Sequence, residues 1–291
     1  MPVLIERLPS SAYNPREELT YVDVHKLHPL FDKLAFRASL LLEGPKGVAK
    51  SLAIAAYASK HNIPIVTFDC SEDARRAQIV GMYTIRGSET PFVLGALTTA
   101  YEVANEVGRC IIDFEEFNTL TPQMQKLLNS STDFRKRIEV PECGRVFELQ
   151  PMAKLWVVGT QNHATYAGTY SINEDLKSRL RIVEVGYPSS ADEAVLISKV
   201  ADSMGIQANP KVINSLCHIA NESRQTSDGT EYHLSTRDIV QILEDGFLLG
   251  DMKAALRIAL GKFAGADRDW FQTRIKSAFG FQITAQDHGP A

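Results

Sequence analysis

The chain has 291 residues, of which 44% are hydrophobic and 23% charged, with Lys plus Arg at 31 and Asp plus Glu at 35. That length holds one large domain or two modest ones around a full core, and the balance excludes intrinsic disorder and a disulfide scaffold. A net charge of −4 argues against a protein that coats DNA through a general basic excess, while leaving room for a local basic groove.

Residues 1–20 are polar and carry Pro2, Pro9 and Pro15, the pattern of an irregular arm without a basic, then apolar, leader. Residues 22–36 read as partly helical. The apolar run 39–42 ends in Glu43-Gly44 and predicts a buried strand, followed by an Ala-rich helix over 50–60 and a second strand over 63–68. A helix follows at about 94–106, then a buried strand over 109–114 (RCIIDF), a helix from 122, and strands over 155–159 and 182–185. Strands that alternate with helices predict a parallel sheet covered on both faces. From Ser189 onward the stretches 191–205, 209–225, 235–250 and 251–263 all read as helices. The expected organisation is an arm (1–20), an α/β core (21–188), a small all-helical unit (189–279) and a tail (280–291). Cys70, Cys110, Cys143 and Cys217 lack C-x-x-C spacing and read as free, buried thiols in a reducing compartment. No apolar run approaches the ~20 residues that span a bilayer, so no membrane partner and a cytoplasmic location are expected.

Gly44-Pro45-Lys46-Gly47-Val48-Ala49-Lys50-Ser51-Leu52 stands between a predicted strand and a predicted helix. That is the layout of a phosphate-binding loop: small residues let backbone N–H groups approach phosphates, and the helix N-terminus adds partial positive charge. Gly44, Pro45, Gly47, Val48, Ala49, Lys50, Ser51 and Leu52 are the candidate nucleotide-binding residues. Lys50 would reach the β- and γ-phosphates and Ser51 would bind Mg²⁺. Ala49 stands where Gly is usual. The expected fold is therefore an α/β P-loop NTPase, an αβα sandwich with a parallel sheet, followed by a helical lid.

Such a site also needs an acid at a neighbouring strand end and a base for water. Residues 109–118 (RCIIDFEEFN) allow two registers. In one, Asp113 is the metal-side acid. In the favoured one, Phe114 closes the apolar strand, Glu115 is the metal-side acid and Glu116 the base, because a carboxylate inside a buried strand is costly unless hydrogen-bonded.

At this point the chain resembles an AAA+ ATPase of the MoxR type, a group related to CbbQ, to the gas-vesicle protein GvpN and to the AAA modules of dynein and midasin. The matching pieces occur in order over about residues 22–250. They are GPKGVAKS; Ile79-Val80-Gly81 with Phe92 to Leu97; Glu115-Glu116-Phe117-Asn118 with Pro122 and Gln125; and Val157 to Asn162, ending in Thr160-Gln161-Asn162. Glu115 departs from the family's Asp. The resemblance implies ATP with Mg²⁺ as cofactors and Asn162 as sensor 1, near the attacking water. It implies Arg179 as a finger reaching a neighbouring subunit's γ-phosphate, with Arg181 competing for that role, and Arg237 as sensor 2. It places residues 79–95 at a ring's pore, where Met82, Tyr83, Ile85, Arg86 and Phe92 would grip a partner; the alternative is a hairpin packed on its own domain.

The function this implies is an ATP-hydrolysing, MoxR-like chaperone, self-associated into a hexameric ring and remodelling a protein partner, a von Willebrand factor A domain protein being the family's frequent one. Two alternatives stand beside it. One is a nucleic-acid-associated motor of the McrB type, using ATP or GTP, which would need a basic groove of the kind hinted at by Arg135-Lys136-Arg137. The other is a nucleotide-binding switch with little turnover.

Overall fold

The structure is a computed structural model that describes residues 4–13, 19–163, 169–225 and 232–283. It divides into two compact units. The first gathers the described residues of Met1–Leu19, Lys26–Pro45 and Lys50–Val185; the second those of Thr20–His25, Lys46–Ala49 and Gly186–Ala291.

The first unit runs β1 (Ile5–Glu6), α1 (Leu27–Leu34), β2 (Ser39–Glu43), α2 (Lys50–Lys60), β3 (Ile65–Asp69), α3 (Arg76–Val80), β4 (Gly81–Tyr83) and β5 (Phe92–Leu94). It continues through α4 (Ala96–Val107), β6 (Arg109–Glu115), α5 (Pro122–Leu127), α6 (Asn129–Thr132), β7 (Arg137–Val140), β8 (Arg145–Glu148), β9 (Lys154–Gln161), α7 (Glu174–Lys177) and β10 (Leu180–Glu184). Five strands form one sheet in the order β10-β2-β9-β6-β3, and every pairing is parallel. The near-continuous apolar runs of β2, β6 and β9 follow from burial on both faces. Cys110, Ile112 and Phe114 of β6 pack with Ala100, Val103 and Ala104 of α4 and with Leu155 and Val157 of β9. Trp156 alternates with those last two and meets Phe31 of α1 and Tyr57 of α2 edge-on, at ring separations of 5.5 and 5.8 Å.

Because all five strands are parallel, their C-terminal ends share one edge of the sheet, where open α/β sheets bind ligands. The register brings Glu43 beside Gln161, Phe114 beside Gly159, and Asp69 beside Glu115. β9 thus lies between the strand that feeds the phosphate loop and the strand that ends in carboxylates.

Two smaller sheets complete the unit. β1 pairs parallel with β5, which pairs antiparallel with β4. β7 and β8 form a hairpin. The arm expected to be irregular thus contributes β1, while its residues 1–3 and 14–18 lie outside the described residues.

The second unit carries α8 (Ser190–Ser203), α9 (Pro210–Gln225), α10 (Thr236–Leu249), α11 (Met252–Leu260) and α12 (Gly265–Phe279). Ile197, Leu216, Ile239, Leu256, Phe271 and Ile275 belong to its own core. The Ser189 side chain caps α8, and Ser235 with Asp238 forms a capping box on α10. Of the expected tail, residues 280–283 are described, with Ile283 buried, and residues 284–291 lie outside. Among the described residues, no helix is long and apolar enough to cross a membrane.

Candidate nucleotide site

Loop 44–49 joins β2 to α2, and its two glycines have separate reasons. A Cβ on Gly44 would lie 2.0 Å from the Val185 carbonyl oxygen, so the close backbone approach admits no side chain. Gly47 has φ +79°, and a Cβ there would lie 2.5 Å from the Ser235 Cβ. Ala49 has φ +63°, a left-handed conformation that costs an L-residue about 1–2 kcal/mol. Backbone geometry explains why Gly is usual at that position. Gly47→Ala combines the same penalty, about 1–2 kcal/mol, with the Ser235 clash. It is expected to lower the melting temperature and to abolish nucleotide binding, as read by thermal unfolding with and without Mg²⁺–ATP.

Lys50 is buried, and its Nζ donates to the carbonyl oxygens of Gly44 and Pro45 at 2.9 and 2.8 Å and to Asn162 Oδ1 at 3.2 Å. Ser51 Oγ lies 3.4 Å from Thr160 Oγ1. Val48 is buried, whereas Leu52 is exposed. Lys50, Ser51, Thr160 and Asn162 therefore meet at the C-terminal edge of β2 and β9.

On β6, Glu115 is the last strand residue and is half-buried. Asp113 lies one alternation deeper, 1% exposed, and its Oδ1 has no hydrogen-bond partner among the described residues. Burial first, then the charges of Glu115 and Asp69, push its carboxyl well above the usual carboxylate range. Glu116 is exposed, with left-handed φ +54°. Thr119 holds that turn, its N–H and Oγ1 both donating to the Glu116 carbonyl at 2.8 Å. Strained backbone of this kind clusters at functional sites.

Asn118 Nδ2 donates to the Asn162 carbonyl at 3.0 Å. Asn162 therefore joins the acidic loop through its backbone and Lys50 through its side chain. Gln125 is buried; it donates to the Leu120 carbonyl at 3.0 Å and accepts the Asn173 N–H at 2.8 Å. The roles of Thr160 and Asn118 were not read from sequence. Both stand in the motif pieces Glu115-Glu116-Phe117-Asn118 and Thr160-Gln161-Asn162, but only the sheet order makes them neighbours of the phosphate loop. Ser51 Oγ and Thr160 Oγ1 meet here, and Glu115 ends the strand beside β9; hydroxyl and carboxylate oxygens are the donor types a hard divalent cation takes.

The arginine candidates are placed differently. Arg179 follows α7, is half-buried and donates to the Asp175 carbonyl at 2.5 Å. Arg181 is exposed on β10, an edge strand. In the second unit, Arg237 is exposed between the buried Ser235, Thr236 and Asp238.

Residues 79–95 span the end of α3, then β4 and β5. Phe92 is buried, with Tyr83 edge-on against it at 5.3 Å, so Phe92 anchors the hairpin and is not free to grip a partner. Arg86 is ion-paired with Glu6 at 2.8 Å. Met82, Tyr83 and Ile85 remain exposed, Ile85 at 80%.

The parallel sheet, the glycine-bearing loop from β2 into α2 and the acidic end of β6 define a P-loop NTPase. Residues 39–180 match the family model described as an AAA domain of the dynein-related subfamily. The chain is 26% identical to protein CbbQ of Hydrogenophilus thermoluteolus, over 71% of this chain and 73% of that one. It is 28% identical to the uncharacterised protein YojN of Bacillus subtilis, over 66% of this chain and 62% of YojN. An uncharacterised protein of Staphylococcus epidermidis is 26% identical, over 61% of this chain and 64% of its own length. The chain thus spans less than two thirds of the length of those last two relatives. Among solved structures, a RuvB mutant of Thermotoga maritima shares the fold with a TM-score of 0.50 at 14% identity, over 91% of this chain and 73% of that one. Residues 39–180 thus carry an AAA domain, and the chain is similar to the MoxR-type AAA+ ATPases through CbbQ.

Proposed function

We propose that this protein hydrolyses ATP with Mg²⁺ in an oligomeric ring, a hexamer, and uses the cycle to remodel a protein partner in the cytoplasm. The observation that carries the reading is the position of Asn162, hydrogen-bonded to Lys50 on one side and to Asn118 of the acidic loop on the other. A residue so placed senses the phosphate loop and the acidic loop together.

In this reading Lys50 exchanges its loop carbonyl partners for the β- and γ-phosphate oxygens. Backbone N–H groups of residues 46–51 and the N-terminus of α2 cradle the remaining phosphate charge. Ser51 and Glu115 would hold the Mg²⁺, which when bound would supply charge neutralisation at the transferring phosphoryl group; Thr160 Oγ1 lies 3.4 Å from Ser51 Oγ and would orient it. Glu116 accepts a proton from the attacking water, and Asn162 orients that water. Arg179 of a neighbouring subunit, with Arg181 as the competing candidate, meets the charge in the transition state. Arg237 serves as sensor 2. The domain assignment proposed is an ATPase core over 21–188 with a lid over 189–279.

The exposed Met82, Tyr83 and Ile85 support a protein partner, a von Willebrand factor A domain protein by the family's habit. The nucleic-acid alternative finds less support. Arg135 is ion-paired with Asp133 at 2.7 Å and Arg137 with Glu139 at 2.9 Å, so two of the three cations in that run are matched by local carboxylates.

The two registers of the acidic strand make opposite demands. With Glu115 as metal-side acid, Glu115→Gln is expected to abolish Mg²⁺-dependent turnover, while Asp113→Asn, an isostere at a buried position, keeps most of it. Steady-state ATPase assays across a Mg²⁺ titration check this. The reverse pattern would assign the metal to Asp113.

A further inference from the structure

In the second unit, a buried carboxylate and an arginine surround the start of α10. Glu193, in the first turn of α8, is fully buried. A charge in that position requires a partner of fixed geometry. Arg224, in the last turn of α9, supplies it: two guanidinium nitrogens donate to the two carboxylate oxygens, each at 2.9 Å. The third, Nε, donates to the Leu234 carbonyl at 2.7 Å. The remaining capacity of Glu193 goes to Thr236, whose hydroxyl donates to it at 2.6 Å.

The segment from Leu234 to Asp238 is thus fixed from several directions. Arg224 holds the carbonyl of Leu234, Glu193 holds Thr236, and Asp238 closes the capping box on Ser235. Arg237, within this segment, alone projects outward. Such pinning exceeds what a helix start needs, since the capping box by itself satisfies the free N–H groups.

The same arginine has a second face. Its guanidinium lies 3.8 Å over the Tyr187 ring, a stacked cation–π contact that Lys does not reproduce. The Tyr187 hydroxyl donates to the Lys46 carbonyl, at the tip of the phosphate loop, at 3.0 Å. The next loop residue, Gly47, lies against Ser235, and the position of its missing Cβ is 3.6 Å from the Arg237 Cβ. Contacts therefore run from Lys46 through Tyr187, Arg224, Glu193 and Thr236 back to Arg237 beside Gly47.

We propose that Tyr187 and Arg224 are positioning residues that fix Arg237 against the tip of the phosphate loop. The proposal rests on the nucleotide reading above. Neither residue touches nucleotide; each acts through the α10 start and the Lys46 carbonyl. Tyr187 reports the loop's conformation, and Arg224 transmits it to the segment that carries Arg237.

The test is a double-mutant cycle with Tyr187→Phe, Arg237→Ala and the double variant beside wild type. The readouts are equilibrium binding of a fluorescent ATP analogue with Mg²⁺, kcat, KM and thermal unfolding. Tyr187→Phe keeps the ring and its stacking and removes one neutral hydrogen bond. It is expected to weaken nucleotide binding by about 2- to 12-fold with a melting temperature lowered by no more than about a few degrees. In the Arg237→Ala background the same change is expected to have no further effect on binding or KM. Arg224→Lys is expected to show the Tyr187→Phe phenotype more strongly. Should that variant fail to fold, the Tyr187 cycle still decides. Effects of Tyr187→Phe and Arg237→Ala that multiply in the double variant overturn the proposal alone, as does a Tyr187→Phe protein that binds and turns over like wild type. A wild-type protein that binds no nucleotide overturns the parent reading, and the proposal with it.

Discussion

Replacing Arg179 by Ala is expected to lower the rate of ATP hydrolysis by about 10³–10⁵-fold, the range a finger arginine contributes in related phosphoryl transfers. The arginine meets charge that exists only in the transition state, so equilibrium binding of ATP should be nearly unchanged. In the proposed ring, the site it serves belongs to a neighbour. Among the described residues, Arg179 donates to the Asp175 carbonyl, a neutral partner that is easily exchanged for phosphate. The measurement is a mixing experiment. Arg179→Ala protein mixed with protein inactive through its own base should recover turnover, because some interfaces pair an intact base with an intact finger. If Arg181 is the finger, Arg181→Ala shows the larger loss, and the mixture containing it is the one that recovers.

Glu116→Gln, the second protein in that mixture, is expected to lose about 10²–10⁴-fold in kcat, the usual contribution of a positioned general base. The amide cannot accept the water's proton, yet it is isosteric, and Glu116 is exposed, so the fold and the affinity for ATP should survive. The left-handed turn that aims Glu116 is held by Thr119 through the main chain and is untouched by the substitution. Single-turnover kinetics with saturating enzyme separate this chemical defect from a binding defect. A Glu116→Gln protein as active as wild type would move the base elsewhere or reduce the protein to a nucleotide-bound switch.

The large sheet was legible because its strands have apolar runs bounded by breakers. Lys50–Lys60 is helical over the range that its Ala-rich composition predicts, and the strands predicted at 39–42, 109–114 and 155–159 lie inside β2, β6 and β9. Their ends were read short where polar residues continue the ladder, at Glu115 and at Thr160-Gln161. Tertiary pairing extends a strand past the point where its apolar pattern stops. The small sheet of β1, β4 and β5 was not legible, because strands of two or three residues carry no measurable period. The hairpin of β7 and β8 was not read although Arg137 and Glu139 alternate with the buried Ile138 and Val140, because four residues hold only two repeats of a strand's period.

The phosphate loop was readable from Gly44 to Ser51, and the structure adds why each small residue is there. What the sequence did not carry was adjacency. That Asn162 lies between Lys50 and Asn118 depends on β9 inserting between β2 and β6, a topological fact with no local signature. The buried Glu193–Arg224 pair was equally invisible, since residues 31 positions apart on two different helices show no common motif. Phe92 reads as one more exposed aromatic in a loop until the β4–β5 pairing turns it inward.

The most direct test of shared-site hydrolysis is the specific ATPase activity of the wild-type protein with Mg²⁺ as a function of protein concentration. Activity per protomer should rise with concentration and then plateau as rings fill, because each active site needs a neighbour's arginine. Activity per protomer that stays constant down to concentrations where the protein is monomeric would contradict a site completed in trans.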